Sequence, residues 1–191
     1  MARPLAEPEA NALSAEQQAR LARLVTEQFP FVWRLLRRIG VHESDAEDAA
    51  QQVFIVLSKR LDDVRPNAER AFLFSTAMHV GQRARRNRAR KREDLGAELD
   101  TRTDDTPSQE ELLDRRRARE VLDAILEAMP LELRVVLVLF EFEQLSTTEI
   151  AELVGIPPGT AASRLRRARE DFAGRVARSE ARRNFRGKTD D

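Results

Sequence analysis

Hydrophobic residues recur every three to four positions along most of this chain, a spacing typical of α-helices that bury one face. A first helix is predicted from near Ser14, whose hydroxyl suits an N-cap, and Pro30 is expected to kink it or to start a new helix. Ser44 and Glu47 have the spacing of a capping box and predict the start of the next helix. A third long helix is predicted from about Ala68, and no convincing strand alternation is found.

The C-terminal part of the chain repeats this helical pattern. The apolar run Val135 to Phe140 fits a buried strand or a buried helix, and helix is favoured because a lone strand would have no pairing partner. Ser146 and Glu149 form a second capping-box pattern, and Gly155 is typical of a helix end. Pro158 is placed to begin the last helix. The pattern therefore predicts two short helices joined by a tight turn.

Charge reverses abruptly in the middle of the chain. Arg83 to Arg92 holds seven positive side chains and no acid, whereas residues 93–111 hold eight acids and one arginine. The acidic stretch has too few apolar residues to offset its ordering entropy, which predicts a flexible linker. The predicted fold is all-α, with two small helical domains. The predicted segments are a disordered tail (1–13), an N-terminal domain (14–92), the linker (93–111), a helix-turn-helix domain (112–178) and a second tail (179–191).

The amino-acid composition excludes several classes of function. Thirty-three Lys plus Arg balance 33 Asp plus Glu, so only the uneven distribution of charge can indicate a nucleic-acid partner. There is no Cys, and the two His residues lie far apart, so no metal site, no other cofactor and no catalytic residue is predicted. No 18-residue apolar run or secretory signal is present, which indicates a cytoplasmic protein without membrane insertion. Because the sequence shows no Ser, His and acid set at plausible spacing and no phosphate-binding glycine loop, the protein is not expected to be an enzyme.

The last predicted helix has two distinct faces. One stripe is apolar and suits packing: Ala161, Leu165, Ala168 and Phe172. Roughly opposite lie Ser163, Arg166 and Arg167, with Gly159 beside them. In a helix-turn-helix the second helix enters the DNA major groove, and its early side chains reach base edges. This pattern predicts DNA binding, although paired helices with a solvated arginine surface are also a common packing unit.

Three motifs resemble one protein family. LSTTEIAELVGIPPGTAASRLRRARE is similar to the C-terminal DNA-binding region of bacterial RNA polymerase sigma factors of the sigma-70 family, extracytoplasmic-function (ECF) type. DAEDAAQQVFIVL resembles that family's helix that binds core RNA polymerase, and RAFLFSTAMHVGQRARR resembles its helix that recognises and melts the minus-ten element. The resemblance implies a subunit without catalytic activity that gives core polymerase its promoter specificity.

The resemblance also implies site residues. For core polymerase they are Asp48, Gln51, Gln52 and Ile55. For the minus-ten element they are Asn67, His79, Arg83, Arg85 and Arg86. For the minus-thirty-five element they are Thr160, Ala162, Ser163, Arg164, Arg166 and Arg167. His79 and Arg83 differ from the residues that the family commonly carries at these positions, so no base preference is transferred to that helix.

The implied partners are core RNA polymerase and promoter DNA. An anti-sigma factor or another inhibitory protein is a further candidate partner, whose identity the sequence does not give. The alternative function is an operator-binding helix-turn-helix regulator that acts without polymerase and uses its N-terminal helices to dimerise or to sense a ligand. That alternative requires a self-complementary helix face, and it predicts DNA binding without any stable association with polymerase.

Overall fold

The computed structural model describes residues 13–95 and 109–187, with side chains for residues 13–90 and 116–181. This part of the chain forms seven helices and no strand. They are α1 (Ala15–Arg38), α2 (Glu43–Lys59), α3 (Glu69–Leu95), α4 (Gln109–Ala128), α5 (Leu131–Glu141), α6 (Thr147–Val154) and α7 (Pro158–Gly187). The all-α prediction is confirmed, and the apolar run of residues 135–140 is helical. Residues 96–108 of the predicted linker lie outside the described residues.

The first helix begins where the sequence predicts. Ser14 accepts from the backbone N–H of Gln17, and the Gln17 side chain accepts from the backbone of Ser14. Pro30 neither ends α1 nor starts a new helix, because α1 continues through it. The helix tolerates the lost backbone hydrogen bond because the residues that follow, among them Phe31 and Val32, are buried against α2 and α3.

The predicted capping box at the start of α2 is wrong. The N-cap is His42, whose Nδ1 accepts from the backbone N–H of Ser44 at 3.3 Å. Since α2 begins one residue before Ser44, the Ser44 hydroxyl lies inside the first turn. It donates instead to Asp45 Oδ1 at 3.1 Å. The predicted helix itself is present, with Ala46, Val53 and other apolar residues in the core.

The first three helices pack as one unit around an apolar core. Gly81 of α3 allows the closest approach, because a Cβ there would lie 2.6 Å from Ile39 Cδ1 and 3.2 Å from Leu36 Cδ2 of α1. A larger side chain would have to displace the Ile39 side chain or move α3 away from α1. Glycine at this position therefore allows the close packing of α3, the helix that carries the predicted minus-ten residues.

The last two helices form the predicted helix-turn-helix. Ser146 and Glu149 make a complete capping box at the start of α6, and Gly155 ends α6 with φ +74°. The predicted apolar stripe of α7 is buried or half-buried: Ala161, Leu165, Ala168 and Phe172. The side of α7 that carries Arg166 and Arg167 therefore faces solvent.

The N-terminal half (residues 13–95) and the C-terminal half (residues 109–187) pack against each other. Helix α6 lies on α3, and one hydrophobic core contains residues from both halves, from Leu24 to Ala168. The buried Arg134 of α5 donates to the carbonyl of Ile39 in α1 at 2.8 Å. The sequence predicts the two helical units but contains no signal for this contact between them.

Two glycines of the helix-turn-helix give opposite predictions for stability. Gly155→Ala should lower the free energy of unfolding by about 1–2 kcal/mol, because a residue with a Cβ is strained at a φ of +74°. No neighbour lies within 4 Å of the new Cβ, so this backbone strain is the main expected effect. Gly159→Ala, in the first turn of α7 and equally open, should raise the free energy of unfolding by roughly 0.5–1 kcal/mol. Urea unfolding of the full chain measures both, and two changes of the same sign would contradict this assignment of the turn.

Candidate functional site

One face of α2 is exposed and carries all the residues predicted to bind polymerase: Asp48, Gln51, Gln52 and Ile55. Ile55 is 44% exposed, although its neighbours Phe54 and Val53 are buried. The fold itself therefore leaves much of this isoleucine side chain in contact with solvent. The face thus combines polar side chains with one large apolar contact point, a combination suited to a partner that binds reversibly.

A shallow apolar groove of about 350 Å³ runs beside this face, between α1 and α2. It is lined by Leu21, Val25, Phe29, Gln51, Phe54, Ile55 and Ser58. Phe29 and Phe54 stack with ring centroids 6.0 Å apart and form its floor. The α1 side of this groove lies outside the sequence motif, which is confined to α2.

The loop between α2 and α3 presents Asn67, the predicted base-pocket residue. Asn67 is exposed and has φ +70°, a left-handed conformation that asparagine tolerates better than most residues. Arg20 of α1 holds this loop through three acceptors. Its guanidinium donates to the carbonyls of Leu61 at 3.1 Å and Val64 at 2.7 Å, and to the Glu69 carboxylate at 2.8 Å.

Glu69 completes this attachment at the start of α3. Burial alone would raise the pKa of Glu69, but hydrogen bonds from Arg20, from its own backbone N–H and from Asn67, with the charge of Arg20, bring that pKa below its ordinary value. Arg20 and Glu69 were missed by sequence reasoning, since a lone arginine on an amphipathic helix gives no signal of a contact 49 residues away. Together they fix the position of the Asn67 turn.

The exposed side of α3 gathers most of the other predicted minus-ten residues. His79, Arg83 and Arg86 are exposed, and their spacing of four and three residues places them on one face with the exposed Arg90. Arg85 differs, because it is half-buried and lies beside Gly40 at the junction of the two halves. The structure therefore brings His79, Arg83 and Arg86 into one stripe with Arg90, the positive stripe of α3. It places Arg85 outside this stripe.

The predicted groove face of α7 is accessible. Ala162, Arg166 and Arg167 are exposed, and the half-buried Thr160, Ser163 and Arg164 flank them. Ser163 donates its hydroxyl to the carbonyl of Thr160 at 3.0 Å, and Arg166 pairs with Glu170 at 2.8 Å across an exposed helical turn. Such an exposed pair contributes little to stability, so Arg166 is available to another acceptor.

Other arginines near these surfaces connect helices. Arg88 lies 3.3 Å from Asp45 Oδ2 and joins α3 to α2, while Arg169 binds Glu141 at 2.8 Å and stacks on Phe140. Within residues 13–95 and 109–187 no cluster of three or more His, Cys, Asp or Glu side chains is placed to hold a metal ion. No helix among these residues is long and apolar enough to cross a membrane.

Comparison with known proteins identifies the family. The family model described as "Sigma-70 region 2" matches residues 24–91, and the one described as "Sigma-70, region 4" matches residues 119–172. The RNA polymerase sigma-H factor of Pseudomonas aeruginosa is 31% identical over 140 residues, which cover 68% of this chain and 72% of that protein. The chain belongs to the sigma-70 family.

An ECF-type relative matches over a longer stretch. The ECF RNA polymerase sigma factor SigE of Mycolicibacterium smegmatis is 30% identical over 157 residues, or 81% of this chain. The chain spans 61% of the length of that relative. In the terms of the sigma-70 family, α2 and α3 lie in region 2 and the helix-turn-helix lies in region 4.

Two solved structures share the fold. CnrH in complex with the cytosolic domain of CnrY aligns with a TM-score of 0.62 and 22% identity, covering 84% of this chain and 89% of that one. RpoE of Bartonella quintana in complex with the anti-sigma factor NepR aligns with a TM-score of 0.60 and 19% identity, covering 83% and 97%. At these identities the likeness concerns the fold alone.

The Arg20 contact gives a prediction for the loop. Arg20→Met should remove charge-assisted hydrogen bonds that contribute about 1–2 kcal/mol and should accelerate trypsin cleavage after the exposed Lys59 and Arg60 by roughly tenfold. The matched control is Arg23→Met, which alters an exposed arginine of the same helix. Equal cleavage rates in the two variants would show that Arg20 does not hold the loop.

The stability that the Arg20–Glu69 contact contributes should depend on pH, and the lowered pKa of Glu69 sets the direction. Because the pKa of Glu69 is lowered, its ion pair stabilises the fold fully above the unfolded value of 4.5, and this contribution is lost as pH falls through the lower folded-state value. The stability difference between wild type and Glu69→Gln should therefore shrink below about pH 4.5. Urea unfolding at several pH values measures it.

Proposed function

We propose that this protein is a non-catalytic sigma subunit that binds core RNA polymerase and directs it to promoters with specific minus-ten and minus-thirty-five elements. The observation that carries the proposal is the joint presence of region 2 and region 4, in that order, in one chain whose predicted contact residues are mostly exposed. We place its action in the cytoplasm, together with polymerase and promoter DNA.

The core-binding surface is the exposed face of α2 with the neighbouring groove. Ile55 and the apolar wall of the groove would bury against a helical element of polymerase, while Asp48 and Gln51 would supply polar contacts that fix the orientation. The support for this assignment is that all four residues of the α2 face are exposed in the described structure.

The minus-ten surface is the loop around Asn67 together with the positive stripe of α3. Asn67 would hold an unstacked base, since its amide can donate and accept at a base edge. Arg83 and Arg86 would follow the DNA backbone, because contact between cations and phosphates releases counterions whatever the sequence, and His79 would lie beside them on the same face. Arg85, which lies at the junction of the halves, is not proposed as a DNA contact in this arrangement.

The minus-thirty-five surface is the start of α7. Thr160 lies at the positive end of the helix and suits a phosphate oxygen, and Arg166 and Arg167 suit guanine edges or phosphates. Ala162, Ser163 and Arg164 complete the groove face, with Ala162 offering only a methyl contact. An inhibitory protein is a further proposed partner, because the similar RpoE of Bartonella quintana was solved with the anti-sigma factor NepR.

The deciding experiment is reconstitution with core polymerase. The purified chain should co-elute with core enzyme and direct transcripts from a defined start site on genomic fragments. A chain that binds DNA yet neither associates with polymerase nor starts transcripts would be an operator-binding regulator instead.

The α2 surface gives a matched pair of variants. Ile55→Ser should weaken binding to core polymerase by about 1–2 kcal/mol, or roughly tenfold, because it removes apolar area buried in the complex. Val121→Ser makes the same type of change at a valine of α4 that is 46% exposed, and it should leave the affinity unchanged. Titration of labelled protein with core enzyme measures both, and equal losses would reject the α2 assignment.

The two DNA surfaces differ in how they respond to promoter sequence. Arg166→Ala should weaken promoter binding by about 1–3 kcal/mol and should relax the base preference at one position of the minus-thirty-five element. Arg86→Ala should weaken binding to all promoters alike and should lower the number of counterions released on binding by about one. Binding of the polymerase complex to a set of single-base promoter variants at two salt concentrations separates the cases. A uniform loss for Arg166→Ala would assign it to phosphate contact.

A further inference from the structure

The loop between α2 and α3 is fixed at its base by helix α1. The side chains of Leu61 and Val64 are buried, and their carbonyls accept from the Arg20 guanidinium at 3.1 and 2.7 Å. A second side chain of α1 supports the same region, because Gln17 Nε2 donates to Asp62 Oδ1 at 2.6 Å. Helix α1 therefore holds three residues of the loop.

The tip of this loop is a tight turn of residues 65–68. Pro66 occupies the second position of the turn, and Asn67 occupies the third position with φ +70°. The turn is closed by the N–H of Ala68, which donates to the carbonyl of Arg65 at 3.0 Å. These features are those of a type II turn. Because Arg65, Pro66 and Asn67 are all exposed, packing against the core does not hold the turn in this form.

Glu69 connects the base of the loop to its tip. Its carboxylate accepts from Arg20 Nη2 at 2.8 Å, and the two side chains are 13% and 24% exposed, so solvent screens this pair less than a surface pair. Burial raises the pKa of Glu69, but hydrogen bonds from Arg20 and from the backbone N–H groups of Glu69 and Asn67 lower it overall. A carboxylate held by Arg20 therefore favours the turn in which the N–H of Asn67 points toward it.

The type of turn determines where the Asn67 side chain points. Type I and type II turns differ by roughly 150° in the ψ of the second residue and by roughly 170° in the φ of the third residue. Proline is favoured at the second position of both types, so Pro66 does not choose between them. The contacts that Arg20 and Glu69 make are thus needed to select the observed form.

We propose that Arg20 and Glu69 are positioning residues for base recognition: they hold the turn of residues 65–68 in the form that presents the Asn67 amide, without contacting the base themselves. The inference rests on the proposed function, in which Asn67 holds an unstacked base of the minus-ten element. A binding group must be held close to its productive geometry to distinguish one base from another. Loss of either positioning residue should therefore relax base selection at one promoter position.

The first measurement determines the turn type in the full chain by NMR. The NOE between Pro66 Hα and Asn67 N–H is strong in a type II turn and weak in a type I turn. Arg20→Met should reduce this NOE by at least about twofold, because the turn then populates both forms. The control Arg23→Met changes an exposed arginine of the same helix and should leave the NOE unchanged.

Two further variants complete this measurement. Arg20→Lys keeps a positive charge near Glu69 and should restore part of the NOE that Arg20→Met loses. Glu69→Gln keeps the size of the side chain and removes its charge, so it provides the same test if Arg20→Met lowers the helicity of the chain. An unchanged NOE in Arg20→Met at full helicity, or in Glu69→Gln where that helicity falls, would overturn the proposal.

The second measurement uses the complex with core polymerase and a set of single-base minus-ten variants. Asn67→Gly suits the positive φ but lacks the amide, so the position at which it loses base preference is the position that Asn67 contacts. Arg20→Met should reduce the preference at this same position by at least about fivefold and should leave selection in the minus-thirty-five element unchanged. Because Arg20 acts through Asn67, adding Arg20→Met to Asn67→Gly should cause no further loss.

Two results distinguish failure of this inference from failure of the proposed function. A wild-type complex without base preference at any minus-ten position would reject the proposed function and the inference with it. A wild-type complex with a preference that Arg20→Met fully retains would reject the inference alone. An additive loss in the double variant would also reject it, since Arg20 would then act on promoter binding by a route other than Asn67.

Discussion

A guanidinium buried between helix ends governs how this molecule is arranged. Arg134 is 1% exposed although its side chain carries a full positive charge. A buried cation is tolerated only when acceptors replace its water, and the carbonyls of Ile39, Glu127 and Met129 do so. Because those carbonyls belong to different halves, satisfying one side chain requires the halves to meet.

The functional surfaces lie away from this junction. The α2 face, the α3 stripe and the groove face of α7 are largely exposed, so each proposed partner has access to its own surface. The chemistry of each surface comes from side chains of one helix or of neighbouring elements, and the packing between the halves leaves these side chains in solvent.

Sequence reasoning succeeded where a signal was local and failed where a contact was distant. Ser146 and Glu149 form the predicted capping box because both groups lie within one helical turn. Ser44 and Glu47 have the same spacing, but His42 caps α2 instead, since the side chain that reaches the first free N–H groups depends on the path of the preceding turn. The role of Arg20 was invisible because its acceptors come from a loop and a helix far along the chain.

The sequence by itself determined the helices, their apolar stripes, the helix-turn-helix and the resemblance that points to polymerase and promoter. Each of these depends on residues within a few turns of one another, where periodicity and capping chemistry act. Only the tertiary structure decided which arginines join helices that lie far apart in the sequence. Arg86 and Arg134 carry the same charge on similar helices, but the desolvation and hydrogen-bond partners that distinguish them arise only when distant segments pack.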